Sequence, residues 1–169
     1  MTQTEKFRGV PGILRPFKEF IEAVGLDAGD QIVYYGVPGT CTPFIELLAF
    51  ALRSLDIEQV FVPLLDEKKA CRLRQVPDVG MQAGDAPTSL DTKVIVVMGG
   101  LSMPGVPVEA GQVQKIIDRY PGAKVVGVCF MQMFEKAGWL STISFDCLID
   151  ATIDPVAVTN RPLIVIESR

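Results

Sequence analysis

The chain has 169 residues, 49% of them hydrophobic, with 16 lysines and arginines against 20 acids, no histidine, and a net charge of −4. That length is enough for one domain with a substantial core, and the acid balance excludes nucleic acid, whose binding needs a concentrated basic surface. The absence of histidine excludes Ser-His and Cys-His catalysis and removes the commonest metal ligand.

In chain order, Phe17, Phe20, Ile21 and Val24 recur at helical spacing, so a helix is predicted over 16–24, stopped by Gly25. Residues 31–35 (QIVYY) read as a first strand. The stretch GVPGTCTPF follows, turning on Gly36 and Gly39 into a helix with Thr42 as its cap and Pro43 at its first position. Phe44, Leu47, Leu48, Ala51 and Leu55 make the apolar stripe of that helix.

A second strand is predicted over 59–64, a short charged helix over 66–73, and a long loop rich in Pro, Gly and Asp over 76–91. The third strand, 93–98, ends in Gly99-Gly100. A helix marked by Val113, Ile116, Ile117 and Tyr120 closes at Pro121-Gly122. A fourth strand over 124–129 leads to a short helix over 131–137. Fifth and sixth strands fall at 147–149 and 163–166.

Uninterrupted Val/Ile/Leu runs alternating with amphipathic helices predict a three-layer α/β sandwich. Its mostly parallel sheet of five to six strands is Rossmann- or flavodoxin-like, and the whole is one domain. GVPG occurs at Gly9 and Gly36, and PGVP at Pro104, as recurring turn chemistry without a true repeat. No apolar stretch approaches the roughly 20 residues of a membrane span. The start MTQTEKFRGV has no apolar signal core, and the expected location is cytoplasmic. A mean hydropathy of +0.32 predicts an apolar interface and a homodimer. The cluster Lys68, Lys69, Arg72 and Arg74 is interleaved with Asp66 and Glu67 and reads as a solvated face.

In open parallel sheets ligands bind beyond the carboxyl ends of the strands, where strand order reverses. Segments 36–42, 99–105 and 129–133 and residue Asp150 land at that edge. Cys41 is therefore expected near the Gly99-Gly100 loop or near Cys129. Gly36 and Gly39 permit a sharp turn and close approach to a ligand. Thr40, Cys41 and Thr42 then offer hydroxyls, a thiol and amides at the positive end of a helix, which attracts an anion and lowers a thiol pKa.

The candidate site is thus Cys41 as nucleophile, with Gly36, Gly39, Thr40, Thr42, Gly99, Gly100, Ser102, Cys129 and Asp150 as ligand-binding residues for a small anionic metabolite. The competing reading packs Cys41 as a small apolar residue and leaves the glycines to the turn. Cys129 with Phe130, Met131, Gln132, Met133 and Phe134 suits a soft apolar lining or simple core. Cys41, Cys129 and Asp150 together make a conceivable thiolate–carboxylate metal site, although no metal is assigned. Cys71 and Cys147 read as inert. No Walker A loop and no GxGxxG is present, and a cysteine-phosphatase loop would need arginine where Leu47 stands. No cofactor is assigned. The second functional reading is a non-catalytic accessory protein that assembles with itself or with an enzyme complex.

The segments FRGVPGILRPFKEFI, QIVYYGVPGTCTPFIELLAFALR, QVFVPLLDEKKACRL and KVIVVMGGLSMPGVPV carry a resemblance. Together they resemble an uncharacterised archaeal family, found chiefly in methanogens and classed as a domain of unknown function. The resemblance spans most of the chain. It implies a single α/β domain in an anaerobic cytoplasm that keeps free thiols reduced, and it implies no reaction, cofactor or catalytic residue.

Overall fold

The computed structural model describes residues 4–160. A seven-stranded sheet in the order β4-β3-β2-β1-β5-β6-β7 organises them. Five strands are parallel: β1 (Gln31–Gly36), β2 (Glu58–Pro63), β5 (Thr92–Met98), β6 (Lys124–Phe130) and β7 (Cys147–Ala151). The predicted strand at 163–166 lies outside the described residues.

The remaining two strands correct the expectations for 66–73 and 76–91. Only Glu67–Lys69 forms a helical turn, of 3-10 type, and the chain then runs as a hairpin of β3 (Cys71–Val76), antiparallel to β2, and β4 (Gly80–Ala83), antiparallel to β3. The decisive period is two. Leu73 is buried while Arg72 pairs with Glu58 and Arg74 with Asp85 on the opposite side. Met81 gives the expected loop a buried anchor, and Asp78 (φ 61°) and Gly80 (φ 123°) supply the left-handed backbone of the turn.

Alternate residues of the parallel strands feed two cores. Ile32 and Tyr34 with Val94, Val96, Val126 and Val128 face helices α1 (Pro11–Val24) and α2 (Thr42–Ala51). Val33 and Tyr35 with Ile95, Val97 and Cys129 face α3 (Ala110–Ile117) and the short α4 (Met133–Lys136). Both faces of the sheet are covered, as the continuous aliphatic strands require.

Helix α1 starts five residues earlier than predicted. Pro11 takes the first helical position, where its missing N–H costs nothing, and Pro16 sits inside the helix, giving up the bond to the Gly12 carbonyl. Its C-terminus is as expected, with Gly25 left-handed at φ 72°. Helix α4 is shorter than predicted because Met131 (φ 54°) and Gln132 (φ 60°) are both left-handed and cannot continue a helix.

Candidate functional site

Strand β1 pairs with β2 on one side and with β5 on the other, so the order of the sheet reverses between β1 and β5. The loop leaving β1 and the turn leaving β5 flank that reversal.

The first loop is shaped by close packing. A β-carbon on Gly36 would meet Cys41 Cβ at 2.8 Å, Ile45 Cδ1 at 2.9 Å and Met98 Cγ at 3.1 Å, so only glycine lets β1 end beneath these side chains. Gly39 has φ +77°, a conformation that side chains resist. The Cys41 N–H then donates to the Val37 carbonyl at 2.8 Å, closing the turn.

The helix cap differs from expectation. Cys41 occupies the cap position, and its carbonyl accepts from the N–H groups of Phe44 (3.1 Å) and Ile45 (3.0 Å). Thr42 is the first helical residue, and its hydroxyl accepts from the Gly39 N–H at 3.1 Å, bracing the loop. The N–H groups of Thr40 and Thr42 donate to no acceptor among the described residues.

The second element is the 3-10 turn Gly99–Ser102. A β-carbon on Gly100 would lie well inside 3.0 Å of Cys41 Sγ, and one on Gly99 would collide with Cys129 Cβ and lie 2.8 Å from its Cα. The pair is glycine because the turn is wedged between two cysteines. Ser102 is spent locally, its hydroxyl donating to the Gly99 carbonyl at 2.8 Å.

Thr40, Cys41, Phe44, Met98, Gly99, Gly100, Val128, Phe130 and Met133 surround a cavity of about 50 Å³ at the carboxyl edge of the sheet. Of the two neighbours expected for Cys41, the Gly99-Gly100 turn is the one beside it, and Cys129 is not. Phe44, Met98 and Val128 were legible only as core, because an apolar side chain at a cavity has the same pattern as one in close packing.

The electrostatics differ from the sequence expectation. Cys41 is 3% exposed, and burial pushes its thiol pKa up, although the amides of Val37 and Gly100 pull in the opposite direction. A helix start lowers a thiol pKa in a solvated setting, but here desolvation of the thiolate outweighs the nearby amides.

Cys129 does not join Cys41. It belongs to the core on the other side of the sheet, against Phe134 and Trp139, so the conceivable three-residue metal site is not assembled. Burial, with a lesser contribution from the neighbouring Asp150, raises the Cys129 thiol to about 11. Asp150 is its register partner on β7, and the Asp150 carboxylate accepts from the Gln132 N–H at 3.1 Å. It thereby fixes the left-handed pair that ends β6. Among the described residues no three His, Cys, Asp or Glu side chains are grouped to hold a metal ion, and no helix is long and apolar enough to cross a membrane.

A sheet covered on both faces, with a crevice where its order reverses, defines a doubly wound, Rossmann-like α/β protein. The chain belongs to the family described as uncharacterized protein conserved in archaea (DUF2124), which matches residues 8–154. It is 39% identical over 157 residues to an uncharacterized protein of Methanothermobacter thermautotrophicus, covering 91% of this chain and 96% of that one. To an uncharacterized protein of Methanocaldococcus jannaschii it is 37% identical over 145 residues, 86% of each chain. A crystal structure of a protein of unknown function from Methanothermobacter thermautotrophicus superposes with a TM-score of 0.81 at 36% identity, covering 95% of this chain and 99% of that one.

Proposed function

We propose that the protein, acting as one cytoplasmic α/β domain, binds a small metabolite at the crevice between the loop at 36–42 and the turn Gly99–Ser102. The observation that carries this reading is the cavity at the reversal of strand order, walled by both segments. An anionic or carbonyl end of the ligand would meet the Thr40 and Thr42 amides and the Thr40 hydroxyl at the rim. A small apolar group of the ligand would enter the cavity of roughly 50 Å³ between Phe44, Met98, Val128, Phe130 and Met133.

Binding without turnover is the form the geometry favours. In the catalytic form Cys41 is the nucleophile, and its buried thiol would need activation by the arriving ligand. The test is a thermal-shift screen of phosphorylated and carboxylated metabolites against the intact chain and a Thr40→Val variant. A ligand at 100 times its dissociation constant adds about 2.7 kcal/mol and raises the melting temperature by several degrees. A hit whose shift is unchanged by Thr40→Val, or a screen without hits, counts against this reading.

The second reading is a self-assembling accessory protein, a homodimer in its simplest form. It is favoured by large apolar side chains left in water after β7: Ile153 (57% exposed), Val156 (72%) and Val158 (77%). Light scattering on the purified chain tests it directly.

A further inference from the structure

The turn between β6 and α4 holds two consecutive side-chain residues in the left-handed region, Met131 (φ 54°) and Gln132 (φ 60°). That conformation is unfavourable for either residue alone, and a neighbouring pair compounds the cost. All four of their backbone polar groups are nevertheless tied down. The Met131 N–H donates to the Ala151 carbonyl at 2.9 Å, and the Lys136 N–H donates to the Gln132 carbonyl at 2.9 Å. Side chains supply the other two partners. The Gln132 N–H donates to the Asp150 carboxylate at 3.1 Å, and Lys136 Nζ donates to the Met131 carbonyl at 2.7 Å.

The turn sits between two residues that wall the cavity, Phe130 before it and Met133 after it. A cavity lined by methionine, phenylalanine and valine forfeits contacts that its walls would make by closing. Two unfavourable features therefore meet at one place, a strained turn and an open space beside it. Relaxation of the turn to ordinary backbone would carry Phe130 and Met133 with it and relieve both. Strained residues persist where their surroundings over-determine them, and they gather at ligand clamps and switches.

We infer that Asp150 and Lys136 are positioning residues: by clasping the left-handed pair they hold Phe130 and Met133 back and keep the cavity open. This deepens the ligand-binding reading above and rests on it for what the cavity serves. Asp150 is placed by register. It stands opposite Cys129 on β7, beside the turn, and its carboxylate also accepts from the Cys129 thiol. Lys136 is placed by the helix. One turn on from Gln132, its N–H reaches the Gln132 carbonyl and its ammonium folds back to Met131. Both side chains are exposed, so they can be replaced without opening the core.

The experiment uses xenon, which enters apolar protein cavities, and follows the Met98 and Met133 methyl signals by NMR in methionine-labelled full-length protein. Both signals should move as xenon is added to the unaltered chain. Asp150→Ala and Lys136→Ala, checked for folding by their melting curves, should each bind xenon roughly threefold more weakly or worse, because the released wall closes the space. Asp150→Ala also takes a neighbour from Cys129, so a double variant with Gln132→Gly isolates the turn. Glycine accepts left-handed backbone freely, and most of the affinity should return. Xenon affinity unchanged in both single variants, or as low in the double variant as in Asp150→Ala, overturns the clasp. So does an unaltered chain whose Met98 and Met133 signals ignore xenon. These outcomes are separate from the metabolite screen: a screen without hits beside the expected xenon losses supports the clasp and counts only against the ligand reading.

Discussion

The Cys41 sulfur and Gly100 occupy one another's space: a side chain on Gly100 would have to stand where Cys41 Sγ lies. Gly100→Ala is therefore expected to destabilise by about 1–3 kcal/mol through overpacking. In a Cys41→Ala background the methyl group has room, and much of the loss should be recovered. Urea denaturation of the two single variants and the double variant measures the coupling. Simple additivity would show that the two residues do not share this space.

The glycines of the crevice should rank by what surrounds them. Gly99 abuts the Cys129 backbone, which cannot step aside, so Gly99→Ala should be the most damaging. Gly36→Ala meets three side chains near 3 Å and should be intermediate. Gly39→Ala meets nothing within 4 Å and carries only the cost of its left-handed backbone, about 1 kcal/mol. Chemical denaturation of the three variants checks the order, and a reversed order would refute the packing account.

Burial raises the pKa of all four thiols, Cys41, Cys71, Cys129 and Cys147. The folded protein should carry no reactive thiolate at pH 7, and each cysteine should alkylate more slowly there than free cysteine. Site-resolved mass spectrometry after iodoacetamide treatment reads this. Rapid modification of Cys41 at pH 7 would restore the thiolate that the helix start alone suggests.

Glu67 should matter more than its place on a short turn implies. It accepts from the hydroxyl of Tyr35, a residue 1% exposed, at 3.0 Å, and from Arg119 Nη1 at 3.1 Å. Glu67→Ala strands a buried hydroxyl and should cost about 1–3 kcal/mol. In a Tyr35→Phe background the same change should cost less, since no donor is left unpaired. Equal losses in both backgrounds would exclude this hydrogen bond as the cause.

Two carboxyls should govern the acid limb of stability. Burial alone would raise Glu58 and Asp146. Hydrogen bonds from Arg72 and Gln31 to Glu58, aided by the Arg72 charge, outweigh it and lower that pKa. The Val125 amide and Lys124 do the same for Asp146. A folded pKa below the unfolded one means that the unfolded chain binds protons more readily. The stabilisation is therefore complete above about pH 4.3 and is lost as pH falls through the folded values. Melting temperature should drop on acidification in that range, and Glu58→Gln or Asp146→Asn should flatten the drop. An unchanged slope in both variants would rule these groups out.

The parallel strands were legible because β1, β5 and β6 are buried on both faces and read as unbroken aliphatic runs, whereas their order, and so which strand lies beside β1 at the reversal, was not. Strand β3 was not, because charges at Lys68, Lys69, Arg72 and Arg74 obscured the two-residue period that Leu73 sets. Pro16 drew the start of α1 inward because proline favours a first helical position, a place Pro11 holds. At the crevice the glycines and Cys41 were legible from turn chemistry. The sign of the Cys41 shift was not, since it depends on burial of the thiol beside Met98 and the Gly99-Gly100 turn, which come at and just after the end of strand β5, far along the chain.

The cavity has unequal walls. On one side Gly99 and Gly100 are packed hard against Cys129 and Cys41, whereas the flank is the tilted pair Phe44 and Phe130, with ring centroids 4.5 Å apart, one on α2 and one at the end of β6. The width of this flank is thus set by the rotamers of two aromatic side chains, and exchanging either for a smaller residue should widen it while the sheet beneath stays in register.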